Sequence, residues 1–145
     1  MKRQMKLSFL FAVILTVFLS QSVSAYSGLA DSKDYAITRT LGMDYVGKLD
    51  STNDVDWLKY TNTYTFSTIV NIFVMPMNPA VNYDIEVDYC NTTGYCFPVN
   101  VADTGFGNTE YAKAINVPPG YTVYWKVKGH NYWDFGFDYA TAIHS

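Results

Sequence analysis

An all-β sandwich is the fold this sequence predicts, on three observations. Apolar and polar residues alternate with period two in run after run. No stretch carries a helical period, and turns rich in Gly, Pro, Asn and Asp punctuate the runs at sandwich-like spacing. Composition agrees: of 145 residues, 49% are hydrophobic, 17% aromatic and only 16% charged. That suits one packed domain and excludes a coiled coil, a disordered tail or a low-complexity linker. The formal charge of −3 argues against nucleic acid as a partner, because neutralising phosphates needs a basic surface.

In chain order, residues 1–25 read as a secretory signal peptide. Lys2, Arg3 and Lys6 form a basic start, residues 7–19 are mainly apolar, and Val23-Ser24-Ala25 offers small side chains for cleavage before Tyr26. The alternative is an uncleaved anchor, but a helix of 13 residues spans roughly 20 Å against a hydrocarbon core of about 30 Å. The expected mature domain, 26–145, carries seven Lys and Arg against 13 Asp and Glu, a net charge of −6. No later run is long and apolar enough for a membrane helix, so the expected product is secreted and extracellular.

The strands follow in order. The turn Asp50-Ser51-Thr52-Asn53 leads into a strand carrying Asp54, Asp56 and Trp57. Residues 64–74, rich in Thr, Ile, Val and Phe, predict a longer strand; its run 68–74 suits either a protected centre or a self-associating edge. Pro76-Met77-Asn78-Pro79 ends it. Residues 83–89 are the cleanest half-buried strand, apolar at odd positions and acidic at Asp84, Glu86 and Asp88. A Gly-bearing loop covers residues 103–108, and Pro118-Pro119-Gly120 makes a turn that must lie outside a ladder. Residues 121–128 set Val123, Trp125 and Val127 against Lys126 and Lys128. A last strand is expected over 132–141, with Trp133, Phe135, Phe137 and Tyr139 on one face. The count is seven or eight strands, with Trp57, Trp125, Tyr83, Phe135 and Phe137 assigned to the core.

Cys90 and Cys96 flank Asn91-Thr92-Thr93-Gly94-Tyr95. In an oxidising compartment they are expected to form a disulfide that pins a hairpin. Zinc is the weaker reading, since a structural site needs four ligands and no His or further Cys stands nearby. Asn91-Thr92-Thr93 is also a glycosylation sequon, relevant only in a host that glycosylates exported proteins.

Three blocks carry a resemblance. Gly47-Lys48-Leu49-Asp50 followed by Asn53-Asp54-Val55-Asp56-Trp57-Leu58-Lys59-Tyr60 resembles the G-x-L, then D-x-D-W-Y-x-F signature of bacterial pre-peptidase C-terminal domains. Tyr83-Asp84-Ile85-Glu86-Val87 resembles that family's D-L-x-V strand, and residues 119–127 its P-x-G-x-Y-Y-x-x-V segment. The blocks match in order and spacing over about residues 31–143. Leu58 stands where an aromatic is usual, Tyr60 replaces Phe, and the cysteine hairpin lies outside the pattern. The resemblance implies a jelly-roll-like β-sandwich of about seven to eight antiparallel strands, normally appended to secreted proteases. Here it would be a stand-alone secreted copy in a bacterium. Some relatives bind collagen and take calcium.

Residues able to carry chemistry are few. There is no nucleophile elbow, His-Glu-x-x-His or phosphate loop. His130 sits in a turn, where a solvated role is commonest, and His144 is next to last. No catalytic residue is therefore assigned and no enzyme activity expected. The candidate metal ligands are Asp50, Asn53, Asp54 and Asp56, an all-oxygen set that suits Ca2+, with Asp31 or Asp34 as further donors. A turn that caps its own N–H groups is the alternative. The candidate ligand-binding residues are Tyr124, Tyr132, Tyr95 and Phe106, aromatic side chains outside the expected core. The acidic row Asp84, Glu86 and Asp88 could meet a basic partner or the Lys126 and Lys128 row.

The function expected is a secreted, non-enzymatic binding module for an extracellular polysaccharide or fibrous protein, with calcium dependence as an open feature. The alternative is a folding, inhibitory or structural accessory to a separate exported enzyme.

Overall fold

The computed structural model describes residues 30–145, so the expected signal peptide and cleavage point lie outside the described residues. A 3-10 turn at Lys33–Tyr35 precedes nine strands: β1 (Ile37–Thr38), β2 (Tyr45–Lys48), β3 (Val55–Thr61), β4 (Thr68–Pro76), β5 (Tyr83–Cys90), β6 (Cys96–Val99), β7 (Glu110–Val117), β8 (Thr122–Gly129) and β9 (Asp138–His144). They form a five-stranded sheet in the order β1-β3-β8-β5-β6 and a four-stranded sheet in the order β2-β9-β4-β7. Among the described residues no helix is long and apolar enough to cross a membrane.

The sandwich follows from the alternation. Inward residues of β5 (Tyr83, Ile85, Val87) and β8 (Val123, Trp125, Val127) meet Val70, Ile72 and Val74 of β4, as the facing sides of two packed sheets must. The Trp125 indole N–H donates to Thr141 Oγ1 across the core (3.0 Å). The β4 run is a centre strand, flanked by β7 and β9, so its ladder groups are covered on both sides. The Lys126 and Lys128 row does pair with the acidic row: Glu86 bridges both ammonium groups at 2.6 Å.

Five local expectations need correction. All but one of the strand pairings are antiparallel; the two-residue β1 lies parallel to β3. With β1 and the short β6 the strand count becomes nine. Trp57 points to the outer face, because Asp56, Leu58 and Tyr60 take the inward positions of β3. Asp56 is 1% exposed, with Tyr139 as its hydrogen-bond partner. The last strand starts at Asp138, six residues later than expected. Residues 130–137 are instead a turn, pinned by the Asp134 carboxylate on Asn131 and Asn82 N–H groups and by Gly136 N–H on Leu49 O. Phe137 and Trp133 consequently stay exposed, while Phe135 packs on the core edge. Finally, Tyr64 and Phe66 precede β4 and stack on each other in the loop (5.2 Å), where Asn62 holds the backbone.

Cys90 and Cys96 face each other across the β5–β6 hairpin and are disulfide-bonded. Asn91 Oδ1 accepts the N–H groups of Thr93 and Tyr95 within the same turn, so the bond is not the hairpin's sole restraint. Replacing both cysteines by Ser is expected to lower stability by about 2 kcal/mol in the loop-entropy account. Urea unfolding with and without reductant measures this, and an unchanged midpoint would mean that Asn91 alone suffices.

Candidate functional site

Two places carry the candidate residues. The first is the end of the sandwich where β3 begins. Strand register sets Val55 opposite Lys128 and Tyr83 opposite Gly129, which gathers residues 49–54, 77–82 and 130–137 at that end. Thr52 Oγ1 donates to Tyr132 O (2.8 Å) and ties two of these turns together.

Here the acidic turn closes on itself: Asp54 Oδ2 accepts the Asp50 N–H (2.6 Å). Asp54, just before β3, and Asp56 within it are two residues apart and both buried. Burial pushes Asp56 up to about 7; Asp54, Asp31 and Asp50 add repulsion, and the Tyr139 hydroxyl opposes it. Burial likewise raises Asp54, again with Asp31 and Asp50 repelling it. Among the described residues, the only ion pair to this group is Lys48 with exposed Asp50 at 3.7 Å. Asn53 is exposed at the tip. The donors are hard oxygens, two of them on buried carboxylates that repel each other, and this chemistry suits calcium. Asp31 stands close enough to act on both buried carboxylates, whereas Asp34 lines the second place instead.

The motif that suggested the family becomes physically coherent at this end. Gly47 lies opposite Tyr139 in the β2–β9 ladder, and only its missing Cβ leaves room for the tyrosine ring. That ring carries its hydroxyl to Asp56, and Leu49 is fully buried. Gly47, Leu49, Asp54 and Asp56 thus form one unit that holds buried carboxylates.

The second place is a groove of about 510 Å³ on the outer face of the five-stranded sheet, lined by Lys33, Asp34, Lys59, Tyr124 and the Cys90–Cys96 hairpin turn. Tyr124 is its aromatic floor. Lys33 reaches over the Tyr124 ring (4.8 Å) and the neighbouring Trp57 ring (5.7 Å), and its ammonium pairs with Asp88 at 2.7 Å. Such a cation over aromatic faces gives a surface with both stacking and charge. Lys33 and Lys59 were missed in the sequence, where an isolated lysine carries no signal.

The four candidate aromatics do not form one cluster. Tyr124 belongs to the groove, and Tyr95 tops the adjoining hairpin, 63% exposed and edge-on to Phe97 (4.7 Å). Tyr132, 71% exposed and edge-on to Trp133 (4.4 Å), lies at the acidic end. Phe106 is exposed in the loop between β6 and β7, which is tied to residue 81 by Gly107 N–H. His130 is not merely solvated: its Nδ1 lies 3.1 Å from both Asp84 oxygens. Nothing local foretells this pairing, because the partner stands 46 residues away.

No family model matches the chain, and no curated protein matches it. Among solved structures, the pre-peptidase C-terminal domain of a collagenase from Bacillus anthracis is similar, with a TM-score of 0.54 and 16% identity over 74% of this chain and 93% of that one. The fold is pre-peptidase C-terminal domain-like. The sequence resemblance and the shape comparison thus agree, and at this identity the agreement concerns architecture. Within a pre-peptidase C-terminal domain-like sandwich, the Cys90–Cys96 hairpin and the groove beside it are features of this chain described on its own residues.

Proposed function

We propose that this chain is a secreted, non-catalytic module that binds an extended extracellular polymer, a fibrous protein or a polysaccharide, along the outer face of its five-stranded sheet. The observation that carries the reading is the groove around Tyr124. It lies on a sheet face, with the Tyr124 ring beneath the Lys33 ammonium and Lys59 and the polar hairpin turn at its borders. Aromatic faces supply broad contact at low entropy cost, and adjacent charges and amides supply direction. The similar collagenase domain supports an extracellular setting for this fold.

Calcium belongs to the same proposal, at Asp31, Asp50, Asp54 and Asp56. When bound it would neutralise carboxylates that otherwise repel one another and so brace the end of the sandwich. The chain's own residues orient the donors: Tyr139 holds Asp56, and the Asp50 N–H holds Asp54.

Retention on insoluble collagen, cellulose, chitin and peptidoglycan tests the binding reading. Tyr124→Ala is expected to weaken retention on the bound polymer by roughly tenfold, as loss of an aromatic anchor does, with an unchanged thermal midpoint. Equal retention of the variant would remove the groove from the reading. Retention on none of these, with co-purification of an exported enzyme, would favour the accessory role.

A further inference from the structure

Beyond the groove and the acidic turn, a third cluster joins residues from three separate segments. Asp84 of β5, Asp103 of the β6–β7 loop and His130 of the β8–β9 turn bring one ligand atom each within 4.8 Å of one another. His130 Nδ1 is 3.1 Å from Asp84 Oδ1 and Oδ2 and 3.6 Å from Asp103 Oδ2. We propose that Asp84, Asp103 and His130 form a surface site for a first-row divalent metal ion such as zinc.

Two buried carboxylates build the frame behind these groups. Glu110, 1% exposed, reaches across the sandwich from β7. Its Oε2 accepts the Ile85 N–H (2.9 Å) and its Oε1 the Thr104 N–H (3.3 Å). Asp134, also 1% exposed, accepts the N–H groups of Asn131 (2.8 Å) and Asn82 (3.2 Å). Ile85, Thr104 and Asn131 are the residues next in sequence to Asp84, Asp103 and His130. Each ligand-bearing backbone is therefore clamped beside its ligand. The His130 N–H adds a bond to Asn82 O (3.0 Å). Positions held this way lose little freedom when an ion arrives.

Asn82, beside the same place, holds Asp103 from behind. Asn82 is 2% exposed. Its Nδ2 points to Asp103 Oδ1 (3.2 Å), which also accepts the Gly105 N–H (2.8 Å). Its own Oδ1 has no hydrogen-bond partner among the described residues. A buried carbonyl without a donor is costly; it is the other end of this amide, Nδ2, that is turned to Asp103 and fixes that carboxylate. Asp103 Oδ2 meanwhile faces the imidazole. One imidazole nitrogen and two carboxylates, with the histidine 40% exposed, suit zinc with a water in the fourth position. Calcium's preference for oxygen alone directs it to the acidic turn instead.

Zinc chloride titrated into the protein by calorimetry tests the site, with NMR detection of the histidine ring nitrogens. One-site binding is expected, with a shift of the His130 Nδ1 resonance. His130→Gln and Asp103→Asn should each weaken it by roughly tenfold or more. His144→Gln, at the two-residue pair with Asp44, should leave it unchanged. No zinc binding below about 1 mM, equal binding by His130→Gln, or an unmoved His130 resonance would overturn the proposal. The resonance is read in the unmodified protein, so the test stands even where a variant fails to fold. None of these outcomes depends on the polymer.

Discussion

Replacing Gly47 by Ala is expected to cost about 3 kcal/mol or more of folding stability, a fall of roughly 10 °C in the midpoint for a domain of this size. The added methyl would run into the Tyr139 ring and hydroxyl. That ring cannot retreat. It is fully buried and flanked by Tyr83 and Tyr45 at 5.8 and 6.4 Å between centroids. Any shift also withdraws the hydroxyl from Asp56 and leaves a buried carboxylate unpartnered. The expected loss therefore combines overpacking with a broken buried hydrogen bond. A double-mutant cycle with Tyr139→Phe checks the route. With the hydroxyl already gone, Gly47→Ala should cost distinctly less. Additive losses would mean that the glycine matters for some other reason.

Asp56→Asn is expected to flatten the dependence of stability on pH. The folded protein raises this carboxyl from 3.8 to about 7, chiefly by burial, so the folded state holds the proton more tightly than the unfolded one. The stabilisation is complete below pH 4 and is lost as pH rises through 7. In chelator the wild type should lose up to about 4 kcal/mol across that window. Asn keeps an oxygen for the Tyr139 hydroxyl and does not titrate, so at pH 8 the variant should be the more stable protein. Asp54, Asp84 and Glu110, also raised by burial, leave a residual slope of the same sign. Calcium should close most of that gap at pH 8. At about 100 times its dissociation constant a ligand adds roughly 2.7 kcal/mol, and only the wild type retains the full donor set. Urea midpoints at four pH values, with chelator and then with calcium, check both halves. Parallel pH curves would refute the burial argument. Equal calcium responses would remove Asp56 from the metal proposal.

Much of the fold was legible because period-two alternation is a local signal. Residues 83–89 and 121–128 appear in the sandwich with the faces read from their side chains. The errors have a common cause. Trp57 and the run 132–137 were placed by hydrophobicity alone, and each is displaced by an aspartate that goes inside. Asp56 takes an inward position because Tyr139 can donate to it. Asp134 is buried because three N–H donors of its own turn and of Asn82 surround it. Burial of a carboxylate depends on donors that the tertiary fold delivers, and no pattern along the chain announces them.

The candidate sites divide in the same way. The acidic turn was visible because its donors lie within seven residues, and Tyr124 because it breaks the apolar phase of its strand. The groove walls and the Asp84, Asp103 and His130 cluster were not: the cluster's members stand 19 to 46 residues apart in the chain, and the groove's come from segments still farther apart.

By itself, then, the sequence determined the β class, most strand faces and the cysteine hairpin, all set by the two-residue period of a strand and by short loops. Only the tertiary structure decided which aspartates are buried, which aromatics remain in water and which distant groups share a site. Those outcomes depend on hydrogen-bond partners and packing supplied across the two sheets, and such partners are specified by register and loop closure rather than by neighbours in the chain.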